Sequence, residues 1–238
     1  MRKLISALID LIFPPKCPFC RSVLDHRAEG VCPICEGSLP HTGSERRRRL
    51  ENGMLCLSAL RYEGTVGPAV RRYKFSGLSG YAVPFGKRMA HILREERDPS
   101  VFTVTWVPLS EKRLRERGYD QARLLAEVIA EELGLEKPIS LLCKIKDTTA
   151  QSLLTDNEAR RNNVKGAYGV TDPSAVKEKH ILLVDDVVTT GSTLMACAAV
   201  LRKAGAAEVT AVTLARAEKE KYLYRNPLQK KEPLDIMN

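Results

Sequence analysis

The chain has 238 residues and a formal net charge of +9; 44% of its residues are hydrophobic and 5% aromatic. That is enough apolar material for one domain of about 150–200 residues plus a small appendage, which excludes wholesale disorder, and a core rich in aliphatics and poor in rings suits helices layered on a sheet. The positive charge favours phosphate-rich partners such as nucleotides, nucleic acid or an acidic membrane face, without choosing among them.

The first residues, MRKLISALIDLIF, resemble a signal peptide in placing basic residues before an apolar run, but Asp10 interrupts the run and no small-residue cleavage site follows. Leu4, Leu8, Leu11 and Ile12 fall instead on one face of a predicted helix. No later stretch approaches the roughly 20 apolar residues needed to span a bilayer, so no membrane span and a cytosolic location are expected. Two cysteine pairs follow, Cys17-Pro-Phe-Cys20 and Cys32-Pro-Ile-Cys35, separated by 11 residues. Four thiolates so spaced suit one closed, structural, tetrahedral zinc site. A redox pair is the alternative, disfavoured because two such motifs lie close together outside any βαβ pattern. His26 and His41 are available as substitute ligands, but the cysteines suffice and a surface role is expected for both. Cys56, Cys143 and Cys197 read as apolar fillers. The four arginines at 46–49 read as a solvated, mobile loop, with nucleic-acid contact as the alternative if other basic surface lies nearby.

Composition changes near residue 60, which divides the chain into an N-terminal helix and ribbon at 1–60 and a larger domain at 61–217. Helices are predicted at 65–75 and 84–97, then an alternating strand at 102–107 ended by Pro108. At 119–133, Leu124, Leu125, Val128, Ile129 and Leu133 make one stripe and Gly134 the stop. A strand is expected at 139–145, and the polar stretch 146–163 reads as a long loop or weak helix, the kind of segment that often acts as a lid. A βαβ unit closes the domain: strand 180–184, turn 185–191, helix 192–204 burying Leu194, Cys197, Ala198 and Leu201, and strand 208–215. The tail 218–238 is polar and basic, carries Pro227 and Pro233, and is expected to be mobile. The fold class is therefore α/β, and ligands of a parallel sheet bind beyond the carboxyl ends of its strands.

The turn of that unit carries the chemistry. In Ile181-Leu-Leu-Val-Asp-Asp-Val-Val-Thr-Thr-Gly-Ser-Thr193 an aliphatic strand leads to two acids and then to small hydroxyl residues around a glycine at a helix start. Amides of residues 189–193 and the hydroxyls of Thr189, Thr190, Ser192 and Thr193 suit a phosphate at the helix N-terminus, with Gly191 allowing close approach. Asp185 and Asp186 repel phosphate but suit the vicinal hydroxyls of a ribose, which points to a ribose 5-phosphate moiety. A plain acidic turn with one capping hydroxyl explains one of these residues, not the set. The segment is neither a Walker loop nor G-x-G-x-x-G. It resembles the phosphoribosyl pyrophosphate motif of type I phosphoribosyltransferases. By that resemblance, the segment after the first predicted strand, Val107-Pro-Leu-Ser-Glu-Lys-Arg113, is the pyrophosphate loop, with Lys112, Arg113, Arg115 and Arg117 as its cations and magnesium bound with the ligand. A charged, solvated turn is the alternative for any one of the four.

With the cysteine pairs, these motifs resemble the ComF/GntX family from Cys17 to about Ala217. Arg71-Arg-Tyr-Lys-Phe75, Arg115-Glu-Arg-Gly-Tyr-Asp-Gln-Ala122, and residues 151–154 with Arg160 and Asn163 carry the likeness further; Asp120 stands where the family more often has Asn. The resemblance implies a type I phosphoribosyltransferase-like parallel sheet flanked by helices, with a small N-terminal zinc ribbon. It also implies a role in handling single-stranded DNA during natural transformation, alongside a translocating helicase and recombination proteins. Three functions remain open: a ligand-responsive DNA-uptake factor, which is favoured; a phosphoribosyltransferase with an unidentified acceptor and no catalytic residue assigned; and a structural adaptor with a vestigial pocket.

Overall fold

The structure, a computed structural model, describes residues 14–24, 30–145 and 166–217. The helix expected within 4–12, His26, the stretch 146–163 and the tail 218–238 lie outside the described residues. In chain order the elements are α1 (Pro33–Ser38), β1 (Arg47–Arg49), β2 (Leu55–Arg61), α2 (Val66–Phe75), α3 (Ala82–Glu96), β3 (Phe102–Trp106), α4 (Glu111–Arg117), α5 (Gln121–Leu133), β4 (Leu142–Lys144), β5 (Tyr168–Val170), β6 (His180–Val188), α6 (Ser192–Lys203) and β7 (Glu208–Arg216).

Among the described residues, one sheet runs in the order β1-β2-β7-β6-β3. Its β2, β7, β6 and β3 are parallel, and β1 is an antiparallel edge. The parallel strands are largely buried on both faces, as they must be when helices cover the sheet from both sides. Strand alternation divides the core. Leu182, Val184, Val212 and Leu214 pack with Val70, Tyr73, Phe85, Met89, Leu125 and Ile129, from α2, α3 and α5. Ile181, Leu183, Val209 and Ala211 pack with Leu194, Cys197 and Leu201 of α6. The expected α/β class and its mainly parallel sheet therefore form.

Several boundaries differ from the sequence expectations. The arginine run is not a loop: Arg47–Arg49 is an ordered edge strand. Residues 55–61, grouped with the N-terminal part by composition, form a strand inside the sheet, paired with β7 from Cys56↔Ala211 to Arg61↔Arg216. The strand through Val184 continues to Val188, because Asp185 still pairs with Thr213 and Val187 with Ala215. The strand expected at 139–145 shortens to β4, which pairs antiparallel with β5 outside the main sheet. The basic segment after β3 winds into α4, capped by Ser110, whose hydroxyl accepts from the Arg113 amide. No helix among the described residues is long and apolar enough to cross a membrane.

Gly86 sets how closely α3 and α5 approach. A Cβ there would lie 2.6 Å from Val128 Cβ and Cγ1, and Val128 stands on the facing helix. Gly86→Ala gains helix propensity but overpacks this crossing. We expect a net loss of about 1–2 kcal/mol in urea denaturation, largely restored by adding Val128→Ala.

Candidate functional site

At the carboxyl end of β6, alternation turns neighbouring carboxylates toward different faces of the sheet. Asp186 faces α2: its Oδ1 lies 2.9 Å from Lys74 Nζ, and its side chain is only 9% exposed. Asp185 is half-buried on the α6 side, where its charge is felt by Cys56, Tyr168 and Cys197. Its Oδ1 accepts the Asp186 amide at 2.8 Å. Burial first, and then the neighbouring Asp186 charge, push the Asp185 carboxyl up to about 7, with Lys74 pulling the other way. The two acids therefore stand back to back at the strand end rather than as a parallel pair.

The turn that follows is organised by Gly191, the N-cap of α6, at φ +82° and ψ 3°. A side chain here would be strained in this left-handed conformation, and its Cβ would meet Leu50 at 2.9 Å. Thr190 and Ser192 are buried, with hydroxyls 2.7 Å apart, and the Ser192 amide donates to Thr190 Oγ1 at 3.3 Å. These two hydroxyls thus shape the turn, while Thr189 and Thr193 are half-buried. Thr193 hydrogen-bonds with the Tyr168 side chain. The Thr189 carbonyl accepts Arg48 Nη1 at 3.0 Å, so the edge strand braces the turn from outside. The first turn of a 12-residue helix begins at this point, with amides that have no intrahelical acceptor.

The four predicted cations separate by helical phase. Arg113 and Arg117 are half-buried, whereas Lys112 and Arg115 are exposed and Arg115 pairs with Glu111 at 3.4 Å. Arg117 Nη1 donates to Gln121 Oε1 at 2.7 Å, and its guanidinium lies 4.8 Å from the centre of the exposed Phe75 ring. Burial lowers the Arg117 pKa and the Asp186 charge raises it, which places this guanidinium in the field of the strand-end acid. The turn before α4 is pinned by Asp120. Its Oδ2 accepts the Leu109 amide at 3.3 Å and its Oδ1 the amides of Ala122 and Arg123 at 3.1 and 3.2 Å. Burial raises the Asp120 pKa against these donors. The polar contact placed in doubt by Asp in place of Asn is therefore made by the carboxylate.

Lys74 and Arg48 received no individual role in the sequence reading. Lys74 lies within Arg71-Arg-Tyr-Lys-Phe75, and a lysine between two aromatics was the available signal. Arg48 was one of four indistinguishable arginines. Its neighbours are occupied elsewhere: Arg46 pairs with Glu95 and Glu96, Arg47 with Glu96 at 2.9 Å, and Arg49 donates to the Gly53 carbonyl at 3.0 Å. The run is thus spent largely on internal contacts.

Beyond α2 lies the cysteine cluster. One ligand atom from each of Cys17, Cys20, Cys32 and Cys35 lies within 4.8 Å of the others, and tetrahedral Zn–S bonds of about 2.3 Å require sulfurs about 3.8 Å apart. The Ser22 amide points at Cys20 Sγ at 3.5 Å and the Cys35 amide at Cys32 Sγ at 3.4 Å, donors that suit thiolates. Hydrogen bonds from the Ser22 hydroxyl and amide pull the Cys20 thiol down to about 6, while burial and then the adjacent sulfurs push that of Cys35 up. An ion binding all four would relieve that crowding of sulfurs. His41 is exposed; partial desolvation and then the Arg88 charge lower its pKa, with Glu36 pulling the other way, and it is not part of the cluster. Cys56 and Cys197 are buried as expected, but Cys143 is exposed on the short β4.

Family models agree with this layout. One described as Phosphoribosyl transferase domain matches residues 120–230, and one described as Double zinc ribbon domain matches residues 8–48. Competence protein F of Haemophilus influenzae is 28% identical over 229 residues, covering 85% of this chain and 97% of its own length. DNA utilization protein YhgH of Escherichia coli (strain K12) is 27% identical over 227 residues, covering 87% and 99%. Competence protein ComFC of Bacillus subtilis (strain 168) is 27% identical over 215 residues, covering 84% and 84%. The chain is thus similar to the Competence protein F, ComFC and YhgH proteins over most of its length, with a phosphoribosyl transferase domain behind a double zinc ribbon. Its four-cysteine cluster within a double zinc ribbon is a structural zinc site. A solved structure titled as the allosteric regulatory enzyme of purine biosynthesis is 22% identical over 56% of this chain and 26% of that one, with a TM-score of 0.38.

The elevated Asp185 pKa has a sign that can be measured. A carboxyl raised from 3.8 to about 7 on folding contributes its full stabilisation below the unfolded value and loses it as pH rises through the folded one. The stability of ligand-free wild type relative to Asp185→Asn should therefore fall between pH 4 and pH 7. In urea denaturation the variant should be more stable at pH 7 by on the order of 2 kcal/mol.

Proposed function

We propose that this ComF-like chain binds phosphoribosyl pyrophosphate with magnesium and uses that ligand to regulate its handling of single-stranded DNA during DNA uptake. The observation that carries the reading is the convergence of three differently charged elements at one sheet edge: the β6 carboxylates, the α6 N-terminal turn, and the half-buried guanidiniums of α4. Asp186, with Oδ1 engaged by Lys74, keeps Oδ2 for a ribose hydroxyl, and Asp185 accepts from the other side of the strand end. Amides of residues 189–193, with Thr189 and Thr193, receive the 5-phosphate at the helix terminus. Arg113 and Arg117 face the pyrophosphate, and magnesium enters with the ligand to neutralise its charge. An adaptor with a vestigial pocket would have no need to hold two acids at one strand end against desolvation.

The DNA arm of the proposal rests on the names of the relatives, Competence protein F and DNA utilization protein, and on the positive charge of the chain. Because Arg46, Arg47 and Arg49 are engaged internally, the phosphate contacts are assigned to the outward side of α4, where Lys112 is exposed and Arg115 holds only a solvent-exposed pair with Glu111, beside the ligand site. The cytoplasm, next to the uptake helicase and recombination proteins, is the setting that fits.

Fluorescence anisotropy of a labelled oligo(dT) tests this. Wild type should bind with a strong salt dependence, and Lys112→Ala/Arg115→Ala should weaken binding and lower the salt slope by about 1–2. Saturating phosphoribosyl pyrophosphate with magnesium should shift the wild-type affinity at least about threefold, within the usual range of coupling between sites, and leave Asp186→Asn unmoved. DNA affinity indifferent to the ligand in wild type would defeat the regulatory reading.

A further inference from the structure

The zinc ribbon and the strand-end acids are joined by four consecutive residues of one helix. Arg72 Nη2 donates to the Pro18 carbonyl at 2.6 Å and the Phe19 carbonyl at 3.0 Å. Those carbonyls lie between Cys17 and Cys20 in the first knuckle. Tyr73 is fully buried; its hydroxyl donates to the Gln121 carbonyl at 2.9 Å, and its own carbonyl accepts the Tyr119 hydroxyl. Lys74 holds Asp186 Oδ1 at 2.9 Å. Phe75 lies against Arg117 at 4.8 Å.

Residues two apart in a helix point about 200° apart. α2 therefore grips the knuckle on one side and the ligand-facing acid on the other, with Tyr73 fixed between them. Two further contacts make the ribbon part of the same body: Phe19 packs on Phe85 with ring centres 5.7 Å apart, and Arg88 pairs with Glu36. These run to α3, however, not to α2. The knuckle is closed by the Arg21 amide on the Cys17 carbonyl at 2.9 Å and the Cys17 amide on the Ser22 carbonyl at 2.8 Å; an ion shared by its two cysteines would tighten it further, and Arg72 bonds to backbone, so its grip depends on the knuckle's shape and not on a side chain there.

We infer that Arg72 and Lys74 are positioning residues that make sugar-phosphate affinity depend on a docked, metal-loaded ribbon. The inference rests on the sugar-phosphate reading of the site. Lys74 holds Asp186 turned so that its second oxygen is presented to a ribose hydroxyl. Arg72 fixes the helix that carries Lys74. Loosening the knuckle lets α2 shift, and the Lys74–Asp186 pair, held in a nearly dry setting, is sensitive to small displacements.

The test is calorimetric titration of phosphoribosyl pyrophosphate with magnesium into wild type, Arg72→Ala, Arg72→Lys, Lys74→Met and Arg88→Ala, each first assayed for bound zinc and melting temperature. Arg72→Ala and Lys74→Met should retain zinc and fold, yet bind about tenfold more weakly; Arg72→Lys should recover part of the loss, because both carbonyls accept from a single nitrogen, which an ammonium can supply from a shorter stem. Arg88→Ala removes a ribbon contact of the other helix and should change affinity less than about twofold. Zinc removed by a chelator from wild type should weaken binding by the same factor as Arg72→Ala, and add nothing further in that variant. Undiminished binding by zinc-loaded Arg72→Ala, or an equal loss in Arg88→Ala, overturns the coupling while leaving the site reading intact. No binding by wild type overturns both.

Discussion

Two carboxylates on adjacent residues at the end of a buried strand are the constraint around which this molecule is arranged. Strand alternation separates them onto opposite faces of the sheet, yet the Asp186 charge still raises the cost of ionising Asp185. The compensation comes from elements far apart in sequence. Lys74 of α2 makes the direct ion pair, Arg117 of α4 adds its field, and the Asp186 amide satisfies one Asp185 oxygen. Asp185 keeps its carboxyl raised nonetheless. On the proposed reading, a polyhydroxylated sugar bound with a divalent cation relieves this cost.

The same constraint explains the supporting structure. The turn after β6 needs a left-handed residue to bring amides to the strand end, and Leu50 presses on that residue from the edge of the sheet, next to Arg48 on the Thr189 carbonyl. Asp120 ties the segment before α4 to the start of α5, so that the half-buried arginines are presented from a fixed turn. The ribbon contributes its Phe19, Val31 and cysteines to the hydrophobic cluster formed by α2, α3 and α5. It is packed into the core of the domain and is not a separate bead on a linker.

Much of this was legible in the sequence because each signal had a single physical meaning. The aliphatic run into Asp185-Asp186 and the small hydroxyl turn marked a strand and a helix start in one segment. Paired cysteines marked the metal cluster before any geometry was known. What failed were features decided by distant partners. Residues 55–61 carry few β-branched side chains, and only pairing with β7 makes them a strand. Arginines 46–49 look alike in sequence; the structure sends Arg46 and Arg47 to glutamates of α3, Arg48 to the β6–α6 turn and Arg49 to the Gly53 carbonyl. Lys112, Arg113, Arg115 and Arg117 could be divided into inward and outward pairs only once α4 was known to be a helix.

The central claim is that the strand-end acids and the α6 turn form a working sugar-phosphate pocket. Calorimetric titration of phosphoribosyl pyrophosphate with magnesium into wild type and Asp185→Ala/Asp186→Ala, both confirmed folded and zinc-loaded, tests it most directly. The account predicts saturable one-site binding in wild type and none in the double variant. Absence of binding in wild type, or equal binding in both proteins, would contradict it.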